Sequence, residues 1–228
     1  TAASDAIVLA PTGNAGGSLQ VNGSSPVTFL SLETLTVDAD GGAGDALTVN
    51  ASAGNDSVSI TSTNVTVNGQ SLTLANEESI VANLGDGDDS ATVTASAVPV
   101  TVNGGTGSDT LTVLNGAAGT TVTSSAVTVG ANAAITDTAT ETVALTGSGV
   151  VTVQGTGSND TLTINPAIQT AQINGGATIT YASATAVTAD GAGGTNDLVQ
   201  VNGTSSNDAL TVTRGATTTV TGLGGVTV

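Results

Sequence analysis

Two groups of aspartates are the residues of this chain best suited to chemistry. Asp86, Asp88 and Asp89 place three carboxylates within four residues. Carboxylates this close repel one another unless a cation neutralises them, and Ca²⁺ prefers such oxygen ligands. This group is the best candidate for a calcium site. The second candidate group consists of Asp38, Asp40 and Asp45. A solvated acidic loop is the alternative interpretation of both.

A glycine-rich motif places a further carboxylate, Asp109, immediately before a strand-like segment. Residues 104–113 read GGTGSDTLTV and fit the nonapeptide G-G-x-G-x-D-x-L-x. The motif resembles the RTX-type calcium-binding repeats, and partial copies occur at 41–47, 84–92 and 155–162. That resemblance implies Ca²⁺ held between the turns of neighbouring repeats. We favour a corner without metal, because glycine tolerates positive φ and aspartate accepts backbone hydrogen bonds.

The residue inventory argues against an enzyme. The chain has no His and no Cys, and its single basic residue is Arg214. Nucleophilic triads and imidazole acid–base chemistry are therefore excluded. A pair of carboxylates would serve a glycosidase, but no such pair is flanked by aromatic residues that form a sugar platform. We predict no catalytic residues.

Charge and hydropathy restrict the partners. The formal net charge is −17, so the chain has almost nothing with which to neutralise phosphates. Nucleic acid is excluded as a partner, and an anionic membrane surface is disfavoured for the same reason. No apolar run approaches the roughly 20 residues of a membrane helix, so no membrane insertion is expected.

A repeated phrase organises the chain. An aspartate followed by alternating aliphatic residues returns about every 50 residues, at Asp5, Asp56, Asp109, Asp160 and Asp208. Short alternating segments separated by Gly, Asn, Asp and Ser predict β-strands and turns. The pattern predicts an all-β parallel β-helix (β-solenoid) of about nine coils, with two coils of three strands per repeat. β-sandwich domains are the alternative.

We therefore expect residues 1–228 to form a single β-solenoid whose last repeat, from Asp208, is incomplete. Aliphatic residues of the LTV-type strands should point into a narrow core, and the threonines between them should point outward. The predicted core positions are Leu111, Val113, Leu162, Ile164, Leu210 and Val212, and the predicted outer positions are Thr112, Thr163 and Thr211. Asn-Gly pairs at Asn22, Asn68, Asn103, Asn174 and Asn202 are expected at corners.

The chain as a whole resembles the Thr/Gly/Asn/Asp-rich repeat proteins of bacterial cell surfaces. Phrases such as GSNDTLTI, VTVNGG and ETLTVDADGGAGD are typical of them. The resemblance implies secretion, a β-helical architecture and an adhesive or structural role. We expect an extracellular structural protein, the subunit of a head-to-tail filament or of a matrix or surface fibre. A calcium-dependent adhesin or surface-layer module is the alternative.

Two expectations about partners follow. The incomplete last repeat leads us to expect that another copy supplies the missing part, so that subunits associate end to end as a homopolymer. Glycans are a second kind of partner, because the chain contains N-x-S/T sequons. The sequons lie at Asn22, Asn50, Asn55, Asn64, Asn159 and Asn202.

Overall fold

The computed structural model describes residues 4–13, 16–32, 34–208, 211–214, 218–221 and 226–227, with side chains described up to residue 208. All regular structure in these residues is β-strand, and the fold is a β-solenoid with parallel stacked sheets. The predicted fold class is confirmed. The solenoid has about five turns, fewer than the nine predicted. The number is smaller because several strands turn back within one sheet and add no turn.

The chain separates into two compact units. Unit 1 comprises residues 1–112 and 132–140, and unit 2 comprises residues 113–131 and 141–228. The single solenoid over 1–228 stays a prediction.

Unit 1 contributes strands to two sheets. Its strands are β1 (Ala6–Gly13), β2 (Gly16–Val21), β3 (Val27–Phe29), β4 (Leu35–Asp38), β5 (Ala46–Asn50), β6 (Ser57–Ile60), β7 (Asn64–Val67), β8 (Gln70–Ala75), β9 (Ser79–Asp86), β10 (Ser90–Thr94), β11 (Val100–Thr106), the first part of β12 (Thr110–Gly116), and β15 (Ile135–Thr138). The first sheet has the order β15-β11-β9-β5-β1-β2-β3, and the second has the order β12-β10-β6-β7-β8-β4. The chain alternates between the two sheets, which makes the turns of the solenoid.

Unit 2 repeats this plan. Its strands are β13 (Thr120–Val122), β14 (Ala126–Val129), β16 (Thr142–Gly147), β17 (Val150–Gln154), β18 (Thr161–Asn165), β19 (Thr170–Ile173), β20 (Thr178–Thr180), β21 (Ala186–Asp190), β22 (Leu198–Val201), β23 (Thr211–Arg214), β24 (Thr218–Thr221) and β25 (Val226–Thr227). The first sheet runs β23-β24-β25-β21-β17-β13-β14, and the second runs β22-β18-β19-β20-β16. Strands β16 to β22 thus repeat the arrangement of β4 to β10.

Antiparallel meanders interrupt the parallel strand pairing. The sequence pattern did not predict these meanders. In unit 1, β6, β7 and β8 pair antiparallel, while β6 pairs parallel with β10 and β8 with β4. In unit 2, β18, β19 and β20 form the equivalent meander. The prediction of three strands per coil was wrong, because the meander strands add to one sheet without adding a turn.

The core forms where the alternation predicted it. In β5, Leu47 and Val49 are fully buried while the intervening Thr48 is half-buried on the outer face. Burying one such aliphatic side chain contributes about 1.5–3 kcal/mol. The predicted core residues Leu111, Val113, Leu162 and Ile164 are all 0% exposed, and Thr112 and Thr163 face outward, half-buried. The side chains of Leu210, Thr211 and Val212 lie outside the described residues.

The outer face of the first sheet in unit 2 carries a row of threonines. Thr121 is in register with Thr152, which is in register with Thr188, on parallel strands. All three are half-buried on the outer face. β-branched residues favour the pleated conformation, so this uncharged row stabilises the strands that bear it.

Candidate functional site: the carboxylate ladders

Acidic residues that immediately precede strands form stacks, which we call carboxylate ladders. Ladder 1 contains Asp5, Asp45 and Glu78, ladder 2 contains Asp56, Asp89 and Asp109, and ladder 3 contains Asp160 and Asp197. In each step, the side chain of one acid accepts a hydrogen bond from the backbone N–H of the acid next to it in the stack. The sequence indicates several of these aspartates as candidate site residues but does not indicate the ladders that they form.

Ladder 2 shows the geometry of the steps. The backbone N–H of Asp56 donates to Asp89 Oδ1 at 2.7 Å, and that of Asp89 donates to Asp109 Oδ1 at 2.9 Å. The backbone continues the same stack, since the Thr110 N–H donates to the Asp89 carbonyl at 2.9 Å. Hydrogen bonds to a charged acceptor contribute about 1.5–3 kcal/mol each.

Most of the ladder carboxylates are buried. Asp45 and Asp109 are 0% exposed, and Asp56, Asp89 and Asp160 are each 3% exposed. A buried carboxylate is costly unless hydrogen bonds compensate it. The ladders therefore depend on how many donors each acid receives, and the acids differ strongly in this respect.

Asn-Gly turns cap the ladders. Asn22, Asn68 and Asn174 each end the second strand of a meander with φ between 51° and 53°. The Asn174 Nδ2 donates to Asp160 Oδ1 at 2.6 Å, and its Oδ1 accepts the Thr161 N–H at 2.8 Å. Asn22 makes the same two bonds to Asp5 and Ala6, and Asn68 makes them to Asp56 and Ser57. In each ladder, an asparagine amide therefore bonds the carboxylate of the first acid.

The other Asn-Gly pairs lie elsewhere. Asn103 lies within β11, and Asn202 follows β22. The Asn202 Nδ2 donates to Asn165 Oδ1 at 2.6 Å, and the Asn83 Nδ2 donates to Asn50 Oδ1 at 2.8 Å. These amide pairs link adjacent strands at the ends distant from the carboxylates.

Close stacking of the chain explains the glycines of GGTGSDTLTV. Gly105 and Gly107 have φ of +108° and +141°, and a Cβ on them would lie 2.0 Å from the Gly85 carbonyl oxygen and 1.8 Å from that of Gly87. A Cβ on Gly104 would lie 2.8 Å from Asp109 Oδ2. The motif therefore serves as a corner in which glycines admit the neighbouring strand and the carboxylate.

The three aspartates of the first predicted calcium cluster accept hydrogen bonds from different parts of the chain. Asp86 lies exposed at the end of β9, and its Oδ1 accepts the Thr106 hydroxyl at 2.7 Å. The exposed Asp88 accepts the Ser108 N–H at 2.9 Å, whereas Asp89 is buried in ladder 2.

The second predicted cluster is divided in the same way. Asp38 Oδ1 accepts the Asp40 N–H at 3.0 Å and the Asn76 Nδ2 at 2.8 Å, and these bonds lower the pKa of Asp38. Asp40 has a φ of 64° in the following turn, and Asp45 is buried in ladder 1. Across the part of the chain that the structure describes, no three acidic side chains come together where they could hold a metal ion. Calcium binding stays a prediction.

Two ladder acids have pKa values displaced in opposite directions. Burial raises the pKa of Asp89, and the nearby charges of Asp109, Asp56 and Asp88 raise it further. The Thr156 N–H and the Asn174 amide lower the pKa of Asp160, because they donate to its carboxylate at 2.6 Å each. Burial therefore dominates at Asp89, and hydrogen bonds to the carboxylate dominate at Asp160.

The arrangement is suited to holding strands together. Comparison with protein-family models, with curated proteins and with solved structures finds no match to this chain. The described residues contain no helix long and apolar enough to cross a membrane.

Proposed function

We propose that this chain is a non-catalytic structural protein of the extracellular space, a subunit of a head-to-tail filament or of a matrix or surface fibre. Parallel backbone ladders, carboxylate ladders and capped meanders all serve to bind one turn to the next. Strands β16 to β22 repeat the plan of β4 to β10. A repeated plan of this kind extends by adding turns, as solenoid proteins do.

The observation that carries the proposal is the set of open strand edges. Within the described residues, β3 and β4 are the outermost strands of unit 1 and pair on one side only. In unit 2, β22 pairs only with β18. Such edges present unpaired N–H and C=O groups, which are templates for another chain.

Apolar side chains are exposed at two of these edges. Leu198, the first residue of β22, is 54% exposed, and Val27 and Leu30 near the β3 edge are 67% and 76% exposed. Apolar edge residues favour association, here with a second copy of the chain.

Electron microscopy and sedimentation over a concentration series test the proposal. We expect fibres or a concentration-dependent series of oligomers from the wild type, and loss of assembly in Leu198→Lys. Thr163→Lys is the matched control, because it adds the same charge on β18, an interior strand of the same sheet. A wild type that stays monomeric at every concentration contradicts the proposal.

A further inference from the structure

Asparagine followed by glycine is a pair that can modify itself. The glycine nitrogen attacks Cγ of the asparagine, and glycine permits this attack because it carries no side chain and adopts many backbone conformations. Besides the five pairs expected at corners, the chain has a sixth, Asn115-Gly116. The structure gives the six asparagines very different surroundings.

The three capping asparagines, Asn22, Asn68 and Asn174, are held by both ends of the amide. In each, Nδ2 donates to a ladder carboxylate and Oδ1 accepts a backbone N–H. The attack requires the amide to turn until Cγ faces the glycine nitrogen, which breaks these bonds. Hydrogen bonds to a charged acceptor are the stronger ones in proteins, so folding protects the caps.

Packing protects two further pairs. The Asn115 side chain is buried. The Asn103 side chain is exposed, but the backbone of Asn103 lies in β11, which pairs on both sides, with β9 and with β15. A Cβ on Gly104 would lie 2.0 Å from the Ala139 carbonyl oxygen. The strand therefore has no room to move the Gly104 nitrogen toward the Asn103 side chain.

Asn202 has neither kind of protection. It follows β22, which pairs only with β18 among the described strands, and the next residue, Gly203, is exposed. The Asn202 Nδ2 donates to Asn165 Oδ1 at 2.6 Å, and its Oδ1 accepts the Gln200 Nε2 at 2.8 Å. Both partners are neutral side chains near an open edge, where water can replace them at little net cost.

We propose that Asn202 is a self-modification site, at which the folded protein converts asparagine to aspartate and isoaspartate. The Gly203 nitrogen bonds to Asn202 Cγ and gives up its proton to solvent, while Nδ2 takes a proton and leaves as ammonia. Water then opens the cyclic imide at one carbonyl or the other. The reaction needs no other reactant, and it does not depend on the proposed assembly.

The modification weakens the end of β22. A carboxylate at position 202 cannot donate to Asn165 Oδ1 as the amide does. Isoaspartate also adds a methylene to the main chain, beside the point where the Asn202 N–H donates to the Ile164 carbonyl at 2.9 Å. The structure therefore ties the age of the protein to a loosening of β22 from β18.

Peptide mapping by mass spectrometry tests the proposal on dilute, folded wild-type protein kept at mildly alkaline pH. We expect Asn202 to convert at least about tenfold faster than any capping asparagine, because opening a cap first breaks a hydrogen bond to a charged acceptor. An isoaspartyl methyltransferase assay should locate isoaspartate in the same peptide.

The denatured chain is the control, since all six pairs should then convert at similar rates. Asn202→Gln should remove the main product and leave the circular dichroism spectrum unchanged. Conversion of a capping asparagine or of Asn103 as fast as Asn202 in the folded protein overturns the proposal. An Asn202 that stays unmodified while the denatured chain reacts overturns it as well.

Discussion

Gly107 lies where the neighbouring turn leaves no room for a side chain. A Cβ there would lie 1.8 Å from the Gly87 carbonyl oxygen, at a φ of +141° that other residues rarely adopt. Gly107→Ala should therefore lower the free energy of unfolding by about 3 kcal/mol or more, since backbone atoms must move. Chemical denaturation measures the loss. Gly157→Ala is the control, because nothing lies within 4 Å of its added Cβ and its φ is not positive. Similar losses in the two variants would contradict the close stacking.

At Asp160, hydrogen bonds to the carboxylate should make stability depend on pH. Its pKa is lowered by the Thr156 N–H and the Asn174 amide, so the folded state holds the ionised form. This group contributes stability above the ordinary pKa, and the contribution is lost as pH falls through the lower folded value. We expect Asp160→Asn to be less stable than the wild type near neutral pH and to lose less stability between about pH 5 and 2. Thermal unfolding over that range measures it. Equal acid sensitivity of the two proteins would show that Asp160 is not held by these bonds.

At the scale of an element, the β6–β7–β8 meander depends on one asparagine. Asn68 occupies the left-handed region with φ of 51°, and its side chain bonds Asp56 and the Ser57 N–H. Asn68→Gly keeps the backbone freedom and removes both bonds, whereas Asn68→Ala adds strain in the turn. We expect Asn68→Gly to cost about 1–2 kcal/mol from lost hydrogen bonds and Asn68→Ala about 1 kcal/mol more. Denaturant titration of both variants separates the terms. An alanine variant as stable as the glycine variant would refute the strain.

Alternation in single segments made the strands and their inner faces predictable. In Leu111-Thr112-Val113 the pattern alone places two residues in the core and one outside, and the structure agrees. The ladders were not predictable in the same way. The Asp89 side chain meets the backbone of Asp56, 33 residues away, and nothing local to either residue indicates that contact.

The meanders were missed for a different reason. Asn68-Gly69 is a recognised signal for a two-residue hairpin, yet we interpreted it as a corner between coils. The same dipeptide fits both turns, and only the pairing of β7 with β6 and β8 distinguishes them. The predicted calcium residues were also grouped by sequence proximity, whereas burial separates Asp89 from the exposed Asp86 and Asp88.

At the scale of the whole molecule, charge should govern stability. A net charge of −17 with one basic residue produces self-repulsion, which salt screens over roughly 10 Å at 0.1 M. We expect the melting temperature to rise with Ca²⁺ and to fall again on addition of a chelator. Differential scanning calorimetry with Ca²⁺, with Mg²⁺, and with NaCl at matched ionic strength separates binding from screening. An effect of Ca²⁺ that exceeds both others, and that disappears in the double variant Asp86→Asn/Asp88→Asn, would indicate a site at the first cluster. An equal effect of all three salts would indicate screening alone, and no effect of any would mean that the acids are already compensated by the hydrogen bonds of the ladders.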